Sequence, residues 1–188
     1  MSKVSYKKMD INALISLAQT GNIRALEELV RRVQKDIFAM FLHLTSKREE
    51  VADLTQEALL KMARALPQLK NVVSFKTWLN QIITNVYYDF VRKKPKDFIE
   101  IDEKELMQIK DKVGCEPGEK CLFSEIEKIV QAAFMTLPID LRITLALREY
   151  EGLSYDDISK ITNTAIGTVK SRISRARLKL QKELKEFM

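Results

Sequence analysis

Apolar residues recur along most of this chain at steps of three and four, the period of one helix face, and nowhere alternate as in a half-buried strand. Asp10 is placed to cap a short helix over 11–19 that Gly21 ends, and Asn22 to cap a long one from 23 to about 46. The long helix carries Leu26, Leu29, Val30, Val33, Ile37, Phe38 and Phe41 on its apolar side. A third spans roughly 48–66 with the stripe Val51, Leu54, Ala58, Met62 and Leu66, and Pro67, which lacks the N–H a helix needs, ends it. The fourth starts at Ser74, runs to about Lys93 and stops before Pro95. From Asp97 to Glu119 the period lapses: eight acids stand against three bases, with Gly114, Pro117 and Gly118 near the end. That composition predicts a solvated linker with a short transient helix around 103–110. Periodicity resumes at about Cys121 with Ile126, Ile129, Val130, Ala133 and Phe134, and Pro138 opens a helix carrying Leu141, Leu145 and Leu147. The expected fold is all-α: two small helical domains, 1–95 and 121–188, joined by an acidic flexible linker, 96–120.

The last quarter adds a motif. Ser154 is a good N-cap, and Asp157 sits in the first turn that follows, where a carboxylate favours the helix start. Ile158 and Ile161 face inward with Tyr155. Thr162-Asn163-Thr164 forms a turn in which Asn163 can take the left-handed conformation and Thr164 can cap the next helix. On that helix Ile166, Val169, Ile173, Ala176 and Leu180 form the buried stripe, leaving Lys170, Ser171, Ser174, Arg175 and Arg177 outward. Two short helices joined by a tight turn, the second bearing cations and small hydroxyls, describe a helix-turn-helix whose second helix enters the DNA major groove. A basic amphipathic helix can also be a plain solvated surface; the capped first helix and turn favour DNA.

Charge agrees with that reading. The 188 residues carry a net charge of +6, and the sequence pI of about 9.2 suits a polyanionic partner. The start of the chain has no secretory leader pattern, and no stretch approaches the ~18 apolar residues of a membrane span, so a cytoplasmic protein is expected. Cys115 and Cys121, with the distant lone His43, make neither a disulfide framework nor a zinc site. No cofactor, metal, small-molecule substrate or enzymatic activity is expected: the chain has no glycine-rich phosphate loop and no nucleophile–base arrangement.

Two constellations lie in the first domain. Phe75, Trp78, Leu79, Ile82 and Ile83 fall on one face of the fourth helix and read as core. Its other face and end carry Lys76, Asn80, Asn85, Arg92, Lys93 and Lys94, a mixture of amides and cations suited to opened or single-stranded DNA. Asp53, Gln56 and Glu57, three and four apart, make an acidic-polar patch beside a buried stripe. Taken alone, that patch is a solvated helix face.

In order, Asp53-x-x-Gln56-Glu57, then Phe75-x-x-Trp78-Leu79-x-x-Ile82-x-x-Asn85-x-x-x-Asp89-x-x-Arg92-Lys93, then Leu137-Pro138, Glu151-Gly152-Leu153-Ser154-Tyr155 and Gly167-Thr168-Val169-Lys170-Ser171-Arg172 resemble an extracytoplasmic-function (ECF) sigma factor of the sigma-70 superfamily, from about Asn22 to Leu184. The resemblance implies an alternative sigma factor that directs bacterial RNA polymerase core enzyme to specific promoters under an anti-sigma factor. It implies that Asp53, Gln56 and Glu57 dock on the clamp of the polymerase's largest subunit, with the flap a further contact. It implies that the loop 68–76, with Lys70, Asn71, Val72 and Lys76, together with Trp78, Asn80, Asn85, Arg92 and Lys93, recognises and melts the −10 element. Thr168, Lys170, Ser171, Arg172, Ser174, Arg175 and Arg177 would bind the −35 element. The linker would thread toward the RNA exit region.

Departures from the family pattern are Asn163 where glycine is usual, Thr162 where leucine is usual and Ala165 where proline is frequent. The segment Lys70-Asn71-Val72-Val73 varies widely in the family, so base preference does not carry over. Two other classes fit parts of the pattern. A repressor or activator using the helix-turn-helix alone would leave the Asp53-Gln56-Glu57 and Trp78 pattern unexplained, and a helical adaptor would leave the basic helix as mere surface.

Overall fold

In a computed structural model of the chain, residues 5–45, 47–94 and 119–185 are described, except for the side chains of 119–125 and 127. The expected linker as far as residue 118, its transient helix and the Cys115 and Cys121 side chains lie outside the described residues, and 119 and 120, expected in the linker, already belong to a helix. Every regular element among the described residues is helical. They fall into two units, the first built on α1 (Ile11–Gln19), α2 (Ile23–Leu44) as far as Leu42, α3 (Arg48–Ala65) and α4 (Phe75–Lys93) as far as Tyr87, the second on the last residues of α2 and α4 with α5 (Glu119–Met135), α6 (Ile139–Glu149), α7 (Tyr155–Thr162) and α8 (Ile166–Lys185).

Caps set the starts in the first unit. Asp10 Oδ2 accepts from the N–H groups of Asn12 and Ala13 at 2.9 and 3.4 Å, and Asn22 Oδ1 accepts from Ala25 N–H at 3.0 Å. Between those helices Gly21 takes a φ of 86°, open to glycine and costly for most other residues. The whole expected stripe of α3 is buried: Val51, Leu54, Ala58, Met62 and Leu66. It meets a core of Leu14, Ile15, Leu29, Val33, Ile37 and Phe41 from α1 and α2 and Phe75, Leu79, Ile83 and Val86 from α4. Truncating any one of the large aliphatic residues there to Ala costs about 2–5 kcal/mol. Leu26, Val30 and Phe38, expected with the core, are only partly covered.

Pro67 does not simply stop α3. It lies in a 3₁₀ turn, Leu66–Gln68, followed by a second, Val72–Ser74, before α4 begins. A further 3₁₀ turn, Tyr6–Lys8, is held to α2 by Arg32, whose guanidinium donates to the carbonyls of Tyr6, Lys7 and Met9. Arg32 is itself set by Glu28, which is 7% exposed and also takes two hydrogen bonds from Arg31. Those bonds, first from Arg31 and then from Arg32, hold the Glu28 carboxyl down at a pKa of about 2.

In the second unit α8 packs on α5, α6 and α7. Ile143, Leu145, Ala146 and Leu147 of α6 are all buried, with Ile158 and Ile161 of α7 and Val169, Ile173 and Ala176 of α8. Arg142 is 9% exposed, and its guanidinium donates to the carbonyls of Met135 and Leu137, closing the turn between α5 and α6. Ile126, expected with the α5 core, is 55% exposed.

Candidate nucleic-acid interface

The helix-turn-helix assembles from local rules. Ser154 Oγ accepts from Asp157 N–H at 3.1 Å, capping the first helix, and donates to the Asp157 carboxylate at 2.5 Å, which holds the hydroxyl in place. Asn163 adopts φ 50°, ψ 47°, and its N–H returns to the Ser159 carbonyl, ending α7 in the left-handed residue the turn requires. Thr162 does not spoil this turn. Its hydroxyl bonds the Ile158 carbonyl at 2.7 Å and the Thr164 hydroxyl at 2.9 Å. Thr164 therefore spends its side chain inside the turn. The residue ahead of α8 is Ala165, whose carbonyl accepts from Thr168 and Val169 N–H at 2.8 and 3.1 Å, so the expected Thr164 cap is replaced by an Ala165 start.

Val169, Ile173 and Ala176 are the buried stripe of α8; Leu180 is half-buried and Ile166 is 39% exposed. Ile166 is misplaced in the sequence reading because it begins the helix, before the packed turns. Lys170, Ser171, Ser174, Arg175 and Arg177 are exposed as expected, and Thr168 is half-buried. Arg175 bonds only loosely along its own helix, to the Ser171 carbonyl and hydroxyl at 3.3 and 3.5 Å. Two other arginines are committed across helices. Arg172, with a side chain 16% exposed, donates to Asp140 Oδ2 of α6 at 2.6 Å. Arg177 reaches Glu149 of α6 at 2.6 Å, and that bond and charge raise its pKa further. Arg148 completes the support, donating to the Leu153 carbonyl at 2.7 Å with its guanidinium 5.0 Å from the Tyr155 ring centre.

In the first unit the buried arc of α4 is wider than periodicity indicated and turned toward Asn80, Thr84 and Tyr87. Asn80 is 2% exposed and donates to the Lys76 carbonyl at 3.1 Å, so it is a core residue and no nucleic acid can reach it here. Trp78 and Ile82, expected in the core, are only half-buried; Trp78 leans on Phe75 with ring centres 5.8 Å apart. Trp78, Asn85 and Arg92 are spaced by seven, which puts them on one helix face, with exposed Gln81 beside Trp78. Arg92 pairs with Asp89, three residues back, and Lys76 and Lys93 are exposed. Gln81 joins this face through its three-residue step from Trp78.

The loop ahead of α4 presents Lys70, Asn71 and Val73 to solvent, with Val73 80% exposed and Val72 half-buried. Asn71 Oδ1 accepts from Val73 N–H at 3.0 Å, so this side chain shapes the loop. On α3, Asp53 and Gln56 are exposed, and half-buried Glu57 pairs with Lys61 at 3.0 Å. Beside Gln56 runs an apolar groove of about 460 Å³ lined by Val30, Phe38, Leu59, Leu60 and Ala63, with Leu60 50% exposed. The groove was not foreseen, since its lining comes from two helices whose flanks look ordinary one at a time.

Residues 29–96 match the family model described as Sigma-70 region 2, and residues 127–180 match Sigma-70, region 4. The chain is 34% identical over 183 residues to the RNA polymerase sigma-H factor of Pseudomonas aeruginosa, covering 93% of this chain and 94% of that one. The chain belongs to the ECF sigma factors of the sigma-70 family. It is also 32% identical over 182 residues to the ECF RNA polymerase sigma-E factor of Haemophilus influenzae, covering 94% of this chain and 96% of the relative. Among solved structures, the sigma factor RpoE of Bartonella quintana, in complex with the anti-sigma factor NepR, is similar with a TM-score of 0.65 at 27% identity, over 87% of this chain and 98% of that one. CnrH, in complex with the cytosolic domain of CnrY, shares the fold with a TM-score of 0.68 at 21% identity, over 94% of this chain and 99% of that one. No helix among the described residues is long and apolar enough to cross a membrane.

Proposed function

We propose that this sigma factor directs RNA polymerase core enzyme to promoters through two separate faces, with residues 1–95 serving the core and the −10 element, 121–188 the −35 element, and 96–120 the tether. It acts in the cytoplasm, catalyses no reaction itself and is held in check by an anti-sigma factor, as RpoE of Bartonella quintana is bound by NepR. The observation that carries this reading is the co-occurrence, in one chain, of the region 2 and region 4 matches with a capped helix-turn-helix bearing exposed basic and hydroxyl side chains.

The exposed side chains divide the work. Lys170, Ser171, Ser174 and Arg175 face the major groove, with Thr168 at the helix start near phosphate. Arg175 is the best candidate for a base edge, since among the described residues its hydrogen bonds stay within its own helix. Arg177 positions phosphate while leaning on Glu149, and Arg172 acts by orienting α8 from Asp140 rather than by touching DNA. In the first unit, Lys70, Asn71 and Val72 with the exposed Val73 frame a flipped −10 base. Trp78, Gln81, Asn85 and Arg92 follow the opened strand along one face of α4, with Lys76 and Lys93 meeting phosphates. Asp53, Gln56 and Glu57 dock the clamp of the largest polymerase subunit, and the apolar groove beside Gln56 extends that contact. The test is assembly: Gln56→Ala with Glu57→Ala should keep the helical fold and weaken core binding in a competition with another sigma factor. Undiminished competition would remove the docking assignment.

A further inference from the structure

The loop proposed to read the −10 element is held from outside by a residue with no part in the motifs, Gln19. It is half-buried in the last turn of α1, and its Nε2 donates to two carbonyls far along the chain, Leu66 at 3.0 Å and Leu69 at 2.7 Å. These carbonyls bracket the 3₁₀ turn that links α3 to the loop, and Leu69 N–H also closes on the Leu66 carbonyl at 3.1 Å. Both N–H donors of the amide are used, so one side chain bridges the turn from end to end. α1 packs on this turn and on the next, Val72–Ser74. The end of α1 that carries Gln19 is itself fixed: Gly21 N–H returns to the Ala18 carbonyl, Asn22 N–H returns to that of Leu17, and the Asn22 side chain caps α2.

We infer that Gln19 is a positioning residue for −10 recognition, setting the height and angle at which residues 70–73 meet a flipped base. The inference rests on the reading of that loop given above. The Leu69 carbonyl lies just past the end of the 3₁₀ turn and the Leu66 carbonyl at its start, so a single amide from α1 ties the exit of the turn to its entry. Downstream, Asn71 repeats the device on a smaller scale by bonding Val73 N–H. A loop braced at both its entry and its middle presents its side chains in one geometry, and recognition of a single base is sensitive to displacements near 1 Å.

Gln19→Glu tests this, because it sets a carboxylate against two carbonyl oxygens while keeping size. Gln19→Lys is the conservative rescue, since an ammonium can donate to both. Each variant is assembled with core polymerase, and run-off transcription is measured from promoters sharing one −35 element and differing by single bases in the −10 element, both as duplex and with the −10 region already opened. The expected result is that Gln19→Glu compresses discrimination among −10 sequences by about fivefold or more on both templates. Core affinity should stay near wild type, the thermal midpoint should fall because a carboxylate donates to neither carbonyl, and Gln19→Lys should restore most of the discrimination. Unchanged discrimination in a folded Gln19→Glu holoenzyme overturns the proposal, as does a loss that only parallels weaker core binding. A control with Lys70, Asn71 and Val72 all changed to Ala separates the layers. If the control shifts −10 preference and Gln19→Glu does not, only the role of Gln19 is lost. If the control shifts nothing, the loop assignment fails and this inference falls with it.

Discussion

Arg172 lies within the most DNA-like stretch of the chain, yet the structure gives it a different task. Its side chain is 16% exposed, and its bond to Asp140 at 2.6 Å ties α8 to the first turn of α6. The pair is intermediate in kind. Fully exposed pairs are worth about 0–1 kcal/mol, and breaking a buried pair from one side costs about 3–5 kcal/mol. Asp140 is 50% exposed and, once Arg172 is gone, can rehydrate while keeping the Tyr88 hydroxyl as a donor at 2.9 Å, so the solvent-screened end of that span applies. Arg172→Ala should therefore cost about 1–2 kcal/mol, including the lost packing of its aliphatic stem. For a unit of this size each kcal/mol moves the midpoint by roughly 4–8 °C, so a drop near 10 °C is expected in the transition of the second unit. The assay is a double-mutant cycle by far-ultraviolet circular dichroism on the full chain with Arg172→Ala, Asp140→Ala and both. A coupling of about 0.5–1.5 kcal/mol is expected, with −35 base preference unchanged in every variant that stays folded. Zero coupling together with a changed base preference would refute the argument and return Arg172 to the DNA surface.

Arg175→Ala should cost about 1–3 kcal/mol in −35 binding and relax preference at one base pair, while Arg177→Ala lowers affinity evenly across sequences; binding-site selection with each variant distinguishes the two. Asn163→Gly should hold or raise stability by up to about 1 kcal/mol and Asn163→Val should lower it by about 1–2 kcal/mol, because α7 ends at a φ of 50°, read by thermal melting. Glu28 has its carboxyl held near a pKa of about 2, below the ordinary value of 4.5, so its hold on the N-terminal turn is complete above that ordinary value and is lost as pH falls toward 2. Hydrogen exchange at Tyr6–Met9 should rise over that window relative to the intrinsic rate, and Glu28→Gln should show the raised exchange already at neutral pH. Leu60→Asp in the apolar groove should leave folding intact, because Leu60 is 50% exposed, and should weaken core binding by tenfold or more, about 1.4 kcal/mol, measured by the same competition as the Gln56 and Glu57 double change.

Much of this fold could be read from sequence because its signals are short-range. The α3 stripe follows from a three-and-four step alone, and the caps at Asp10, Asn22 and Ser154 need only the few residues that follow each. Errors gather where a position depends on a neighbour the sequence does not show. Asn80 reads as a nucleic-acid contact because amides favour surfaces, but it is 2% exposed and its Nδ2 donates to the Lys76 carbonyl four residues back, so it faces the core. Ile166 keeps the right step and yet lies ahead of the packed part of α8, while Thr164 loses the capping role to Ala165 because its hydroxyl is drawn to Thr162. In the sequence Arg172 reads as one more cation of the helix, and only the fold sets Asp140 across from it. Gln19 left no trace at all, since its partners stand 47 and 50 residues away and are carbonyls that every residue has.

The central claim is that this chain gives core RNA polymerase a promoter preference. The most direct measurement mixes purified core enzyme with the full chain, transcribes fragmented genomic DNA of the source bacterium, and maps the 5′ ends of the transcripts. The account predicts starts that require the added chain and share two upstream elements at a fixed spacing, with Arg175→Ala altering only the distal element and substitutions at Lys70, Asn71 and Val72 only the proximal one. Transcripts indistinguishable from those of core enzyme alone, with no association between the chain and core, would contradict it.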